Sequence, residues 1–257
     1  QNLPLAVFCG ILMGIVMGIF MGYFHILMNT NLILTGVAIN TFTRGATVMI
    51  LYTFTGDKGS SSLVKSLAVG NWDIPVIKDI PILGQILSGH NGFTYFAFLA
   101  VIFTWFLMYR TPLGLRIRAV GENSSAAESV GENPAKSKLI ALGFSGFFSA
   151  LGGMYMSMGN MSVFITNMTG GRGFIGVAAD AMGRGNPIGA MLASLLFGAA
   201  NAVANVLQIN NFPVDMVMAI PYVVSIAGII IYSANEQHRK NSRVKQAIRA
   251  AEREETA

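Results

Sequence analysis

Charged residues, cysteine and histidine are all scarce in this sequence, and each shortage argues against a class of function. Asp, Glu, Lys and Arg make up 11% of its 257 residues, whereas a soluble domain carries roughly 25%. The only cysteine, Cys9, has no partner for an intrachain disulfide and excludes a cysteine-based metal cluster. The histidines, His25, His90 and His238, are too far apart in the sequence to indicate a ligand set. We therefore expect no metal bound by this chain.

Apolar residues, in contrast, occur in long uninterrupted stretches. Hydrophobic residues make up 53% of the chain, and the mean hydropathy is +0.57. Most of the uncharged stretches exceed the ~20 residues that an α-helix needs to cross a ~30 Å hydrocarbon core. A helix satisfies its own backbone groups where no water can, so we predict an all-α, polytopic transmembrane helical bundle. The predicted full spans are residues 3–24, 32–54, 93–109, 139–159, 187–208 and 214–232.

The basic residues predict the orientation of these spans. The net charge of +5 comes mostly from Lys and Arg at span edges, which is typical of a membrane protein, and no nucleic-acid partner is expected. Basic clusters at 110–138 and in the tail, 233–257, are both cytoplasmic by the positive-inside rule. An odd number of full spans separates them, so we predict that residues 160–186 form a broken crossing within a permease domain of residues 1–232. The alternative is a glycine-rich external loop with an exposed tail.

The broken crossing contains a helix-like stretch at 173–183, about 16 Å long at ~1.5 Å per residue, which is too short to span alone. Residues 171–176, which overlap the start of this stretch, read GRGFIG and match G-x-G-x-x-G. No strand precedes this match and no acidic residue follows about 20 positions on, which argues against a dinucleotide site.

Asp180 and Asp215 lack a paired carboxylate or a histidine base, so general acid–base chemistry has no visible carriers. We therefore expect a protein that is not an enzyme.

Glycines and polar residues form stripes on the predicted spans. Gly10, Gly14, Gly18 and Gly22 share one face of the first span; Asn40, Thr43, Arg44 and Thr47 share one face of the second; Asn201, Asn205 and Gln208 share one face of the fifth. The glycine strip predicts close helix packing, with a sliding interface as the alternative. Two interpretations of the polar stripes stay open. They line a route for a neutral polyhydroxylated solute, or the amides join helices while Arg44 reaches for the membrane interface.

The loop at residues 110–138 gathers charge, helix caps and proline in order. Asn123 is a suitable N-cap for two helical turns at 124–130, and Gly131 can adopt the left-handed conformation that ends them. Asn133 then caps again, and Pro134 begins the helix that becomes the fourth span. The predicted short helix presents a small apolar face made of Ala126, Ala127 and Val130. A plain positive-inside connection is the alternative.

This loop resembles the cytoplasmic coupling segment of ABC-importer permeases that serve branched-chain amino acids, simple sugars and nucleosides. The matching residues are Arg110, Thr111, Gly114, Arg118, Ala119, Gly121, Asn123, Ala126, Ala127, Gly131 and Asn133. Glu132 departs from the apolar residue that is common before Asn133. Residues 171–202, with their N-P-x-G-A sequence, and the pair Pro221–Tyr222 extend the resemblance over most of the chain. Such permeases have additional N-terminal spans, so we expect the chain to be N-terminally incomplete.

The resemblance implies a permease subunit in the bacterial inner membrane that contacts lipid, an ABC ATPase, a second permease subunit and an extracytoplasmic solute-binding protein. ATP and Mg would be bound by the ATPase, with no cofactor on this chain. The implied ATPase-coupling residues are Gly121, Glu122, Asn123, Ala126, Ala127, Gly131, Asn133 and Pro134. A nucleoside is the first candidate solute and a ribose-like sugar the second. An ion-coupled secondary transporter and a non-transporting anchor stay open, as does the choice between homodimer and heterodimer.

Overall fold

The structure, a computed structural model, describes residues 2–63, 68–72 and 88–209, with positions 223, 226–228 and 230. The helices in these ranges are α1 (Leu3–Leu27), α2 (Leu32–Thr55), α3 (Gly92–Arg110), α4 (Pro112–Glu122), α5 (Ser124–Ser129), α6 (Pro134–Met154), α7 (Arg172–Gly183) and α8 (Pro187–Ile209). A π-helical turn, Tyr155–Asn160, continues α6, and two short strands, β1 (Asn71–Trp72) and β2 (His90–Asn91), pair antiparallel. The predicted all-α class is confirmed.

Five helices of the described ranges are long and apolar enough to cross a membrane. They are α1, α2, α3, α6 with its π-helical extension, and α8, and they coincide with the first five predicted spans. The sixth predicted span, 214–232, and the basic tail, 233–257, lie outside the described residues apart from the isolated positions. The chain divides into two compact units, Gln1–Gly170 and Gly171–Ala257, which are described separately.

In the first unit, α1 packs antiparallel against α6 through the glycine strip. A Cβ atom on Gly14 would lie 2.6 Å from the Gly146 carbonyl oxygen, and one on Gly22 would lie 2.8 Å from Leu139 Cδ1. Gly18 also faces Gly146, so the two backbones approach closely at the middle of the pair. The predicted close packing is confirmed, because these contacts leave no space for larger residues.

The C-terminal end of α6 and the loop that follows it are hydrogen-bonded to the segment between α2 and β1. The Val69 N–H donates to the Met158 carbonyl within the π-helical turn at 2.9 Å. The Ser61 N–H donates to the Phe164 carbonyl at 2.8 Å. Asn91 is buried, and its Oδ1 accepts a hydrogen bond from the Phe93 N–H at 3.0 Å, which caps α3. The Asn91 Nδ2 also donates to the Val69 carbonyl, so the start of α3 and the end of α6 are both hydrogen-bonded to Val69.

The second unit contains a helical hairpin of α7 and α8, whose core comprises Ala179, Ala193 and Phe197. The predicted short helix at 173–183 is present as Arg172–Gly183, one residue longer at its start. Gly183 lies against the backbone of Gly189 and Ala190, which explains a glycine at the end of α7 and in the N-P-x-G-A sequence. The crossing of the membrane by this region stays a prediction.

Candidate functional site

The coupling segment, residues 110–138, begins with a sharp corner between α3 and α4. Thr111 serves both helices, because its hydroxyl donates to the Leu107 carbonyl at 2.6 Å and accepts from the Gly114 N–H at 3.2 Å. Pro112 follows at the first position of α4, where a missing N–H costs nothing. Helix α4 was not predicted from the sequence, although the Thr–Pro pair is a helix-start signal.

Contacts at the corner explain why glycine occurs at position 114 and arginine at position 118. A Cβ atom on Gly114 would lie 2.5 Å from the Met108 Cα atom, so α4 can approach the end of α3 only with glycine here. The Arg118 guanidinium lies 4.7 Å from the centre of the Tyr109 ring, a cation–π contact between the two helices. The motif residues at 110–118 therefore fix the angle between a predicted span and the first surface helix.

The short helix α5 has the predicted caps. The Asn123 Oδ1 accepts from the Ala126 N–H at 3.1 Å, and Gly131 has the left-handed φ of +88°. The Glu132 N–H then donates to the Ala127 carbonyl at 3.1 Å, which closes the end of the helix. The helix ends at Ser129, one residue earlier than predicted.

The predicted apolar face of α5 is wrong for Ala127. Ala127 is only 4% exposed, whereas Val130 is 82% exposed and Ala126 is also exposed. Residues 126 and 130 are one turn apart and share the outer face, while Ala127 points inward, toward the rest of the coupling segment. The exposed apolar residues of this segment are therefore Ala126 and Val130. Val130 was not among the predicted coupling residues, and the predicted coupling role of Ala127 stays a prediction.

The start of α6 confirms the second predicted cap and adds a polar contact. The Asn133 Oδ1 accepts from the Lys136 N–H at 3.1 Å, and Pro134 occupies the first helical position. The Ser137 hydroxyl donates to the Glu132 Oε1 at 2.9 Å. The other carboxylate oxygen, Oε2, lies 3.3 Å from the Nε of Arg116 on α4. Glu132 therefore joins α4 to the first turn of α6.

Gly121 and Glu122 lie exposed at the end of α4, and Gly121 has no structural need for glycine. Its φ is negative and a Cβ atom would meet nothing within 4 Å, in contrast to Gly114. A glycine in a helix costs about 1 kcal/mol relative to alanine, and nothing within the described chain offsets that cost here.

We expect Gly114→Ala to lower the thermal stability of the purified protein, because its Cβ atom meets backbone that must shift. Gly121→Ala, the matched control on the same helix, is expected to leave that stability unchanged or slightly higher. Thermal unfolding in detergent measures both. Equal loss of stability in the two variants would contradict the corner geometry.

The polar stripe of α2 is available to other molecules. Arg44 is near the middle of α2, and both Asn40 and Arg44 are exposed. Neither side chain makes a hydrogen bond or ion pair with the described residues. The Thr47 hydroxyl donates to the Thr43 carbonyl at 2.8 Å, so its proton is used within the helix. Among the described residues, the side-chain donors of this stripe without a partner are thus those of Asn40, Thr43 and Arg44.

The polar stripe of α8 lies beside the face that packs on α7. Asn201 and Asn205 are exposed and Gln208 is half-buried, while the neighbouring Ala204 is buried. The stripe of α2 belongs to the first unit and the stripe of α8 to the second. Within the described residues, no group of three His, Cys, Asp or Glu side chains could hold a metal ion.

Five long apolar helices, with a capped surface helix between two of them, are the features of a multi-pass membrane protein. The model of the family described as the branched-chain amino acid transport system permease component matches residues 1–231. The chain belongs to this family. Family membership confirms the predicted resemblance and the prediction of a permease component rather than an enzyme, and the apolar helices agree with the predicted membrane location.

Curated relatives include two nucleoside-type permeases. The guanosine ABC transporter permease protein NupQ of Bacillus subtilis is 33% identical over 76% of this chain and 62% of its own length. The nucleoside ABC transporter permease protein NupC of Lactococcus lactis is 30% identical over 78% of this chain and 64% of its own length. A ribose import permease protein, RbsC of Bacillus subtilis, is 27% identical over 56% of this chain and 44% of its own length.

The aligned part of the chain thus covers less than two thirds of the length of these relatives. No solved structure matches the chain.

Proposed function

We propose that this chain is the permease subunit of an ATP-driven importer that moves a nucleoside into the cytoplasm. The observation that carries the proposal is the similarity to two permeases named for guanosine and nucleoside transport, over about three quarters of this chain. The capped helix α5, held between a fixed corner and the start of a predicted span, supports a role in coupling. ATP and Mg would be bound by a separate ATPase chain.

In this mechanism α5 is the contact for the ATPase, and Ala126 and Val130 form its apolar surface. A change in the ATPase can drive the permease only if α5 makes different contacts with the two ATPase states. The contacts of Thr111, Gly114 and Glu132 would then carry the displacement of α5 into α3 and α6. A second permease subunit and an extracytoplasmic solute-binding protein complete the proposed importer.

Each polar stripe is proposed to contact the solute: Asn40 and Arg44 on α2, and Asn201, Asn205 and Gln208 on α8. Amide side chains donate and accept hydrogen bonds, which suits the hydroxyls of a ribose and the edges of a base. An arginine in mid-span is costly unless it faces water or a partner group. Its exposure on this chain supports a water-filled route or a partner subunit at that face.

The substrate test uses proteoliposomes that contain the chain with the permease and ATPase chains that co-purify with it, plus the binding protein. We expect ATP-dependent accumulation of labelled guanosine that other nucleosides inhibit and ribose does not. Accumulation of ribose but not guanosine would favour the sugar alternative, which the ribose permease relative supports. Uptake that needs an ion gradient and no ATP would instead identify a secondary transporter.

We expect Asn40→Leu to lower the maximal uptake rate, because it removes an amide from the proposed route. Thr41→Leu is the matched control, since Thr41 is also exposed, adjacent on α2, and donates its hydroxyl to the Val37 carbonyl at 3.0 Å. Loss of one solute hydrogen bond of about 1 kcal/mol corresponds to a roughly fivefold effect. Initial uptake rates at equal protein amounts measure it. Equal rates in both variants would remove Asn40 from the route.

A further inference from the structure

Glu132 and Ser137 occupy the two positions that flank the start of α6. Asn133 is the N-cap and Pro134 the first helical residue, so Glu132 is the residue before the cap and Ser137 is the fourth helical residue. In many helices these two positions carry apolar side chains that pack together and fix the angle at which the chain enters the helix. Here the same two positions are joined by a hydrogen bond of 2.9 Å between hydroxyl and carboxylate.

The burial of Ser137 raises the free-energy cost of losing this hydrogen bond. Ser137 is only 5% exposed, so without the carboxylate its hydroxyl would lose a partner in a place with little water. A bond to an ionised acceptor is stronger than one between neutral groups. The negative charge also lies at the N-terminal end of α6, where the helix dipole favours it.

Arg116 extends the contact to α4. Its Nε lies 3.3 Å from the second carboxylate oxygen of Glu132. The Arg116 side chain is 64% exposed, and such ion pairs stabilise a protein little by themselves. The Arg116 contact therefore connects α4 to this junction with little stabilisation, and the bond to Ser137 supplies most of the stabilisation.

We propose that Glu132 and Ser137 form a polar staple that sets the angle between α5 and α6, with Glu132 as a positioning residue for coupling. The apolar residue that the family resemblance implies before Asn133 is absent here, and the serine within α6 is its matched partner. The staple joins the end of α5 to the first turn of α6, and the Arg116 contact adds the middle of α4. The coupling consequence rests on the proposed function, whereas the staple itself does not.

The first experiment measures amide hydrogen exchange at Lys136 and Ser137 in the purified chain in detergent, without any ATPase. Glu132→Ala and Ser137→Ala are each expected to raise the exchange rate of these amides about tenfold, because each removes one charge-assisted hydrogen bond. Glu128→Ala, which removes an exposed carboxylate one turn earlier, is the control and is expected to have no effect there. The double variant Glu132→Ile with Ser137→Leu rebuilds an apolar staple and is expected to restore slow exchange. Unchanged exchange in Glu132→Ala would overturn the staple.

The second experiment measures solute-stimulated ATP hydrolysis and uptake by the complete importer. We expect Glu132→Ala to lower the amount of solute moved per ATP about threefold or more while the subunits still co-purify, and the double variant to recover it. Fast exchange combined with unchanged coupling would overturn the positioning role and leave the staple. An unmutated complex without any solute-stimulated hydrolysis would contradict the proposed function instead, and the exchange result would still stand.

Discussion

Gly146→Val is expected to weaken the packing of α1 against α6 and to lower the thermal stability of the first unit. The glycines of α1 and Gly146 of α6 bring two backbones together, and a Cβ atom at 146 would collide with the Gly14 carbonyl. Backbone atoms cannot move aside as a flexible side chain can, so the helices must separate along the shared face. Overpacking of this kind costs about 1–3 kcal/mol, occasionally more, which corresponds to a fall in midpoint of roughly 2–12 °C for a chain of this size.

The matched control is Gly143→Val, less than one turn earlier on the same helix. A Cβ atom at Gly143 meets nothing within 4 Å, so the same change in helix propensity occurs without the collision. Thermal unfolding monitored by size-exclusion chromatography in detergent compares the two variants at equal expression. A similar loss in both would mean that helix propensity, and not the α1–α6 contact, limits stability.

Val130→Arg is expected to abolish most ATP-driven uptake while the permease stays folded. Val130 is 82% exposed at the end of α5, so the longer side chain clashes with nothing in this chain. In the proposed importer it would bring an unpaired charge to the apolar contact with the ATPase. Disruption of a central interface residue costs about 2 kcal/mol or more, which corresponds to a roughly thirtyfold loss of subunit affinity or coupling.

Ala127→Arg separates this effect from misfolding. Ala127 is buried within the chain, so we expect the arginine there to lower the thermal stability of the isolated permease as well as uptake. Val130→Arg should lower uptake with an unchanged unfolding midpoint. Co-purification with the ATPase, uptake and thermal unfolding are measured on both variants. Full uptake by a stable Val130→Arg protein would contradict the assignment of α5 as the coupling contact.

Helix ends were predictable from the sequence because their signals are local. Asn123 and Asn133 cap the backbone two or three residues ahead, and Gly131 reverses its own φ, so neighbouring residues alone determine these features. The predicted spans followed for the same reason, since length and hydropathy are properties of a single segment. The ranges of α1, α2 and α3 differ from prediction by at most a few residues at their ends.

Features that depend on distant residues were not predictable in the same way. Gly14 indicated close packing, but nothing near it in the sequence identifies Gly146 as its neighbour. The inward position of Ala127 depends on how α5 packs against the rest of the coupling segment. The Glu132–Arg116 contact joins two helices across α5, so the charge pattern alone did not reveal it. Helix α4 was missed because its basic residues resemble a positive-inside loop.

The π-helical turn at the far end of α6 limits how that helix can move. Its Met158 carbonyl accepts the hydrogen bond from the Val69 N–H, so rotation of α6 about its own axis would break a bond at this end. The opposite end is joined to α4 through Glu132. A helix that is held at one end and displaced at the other tilts more readily than it rotates about its own axis. Motion that arrives from α5 would therefore change the inclination of α6 and swing its middle, including the glycine contact with α1.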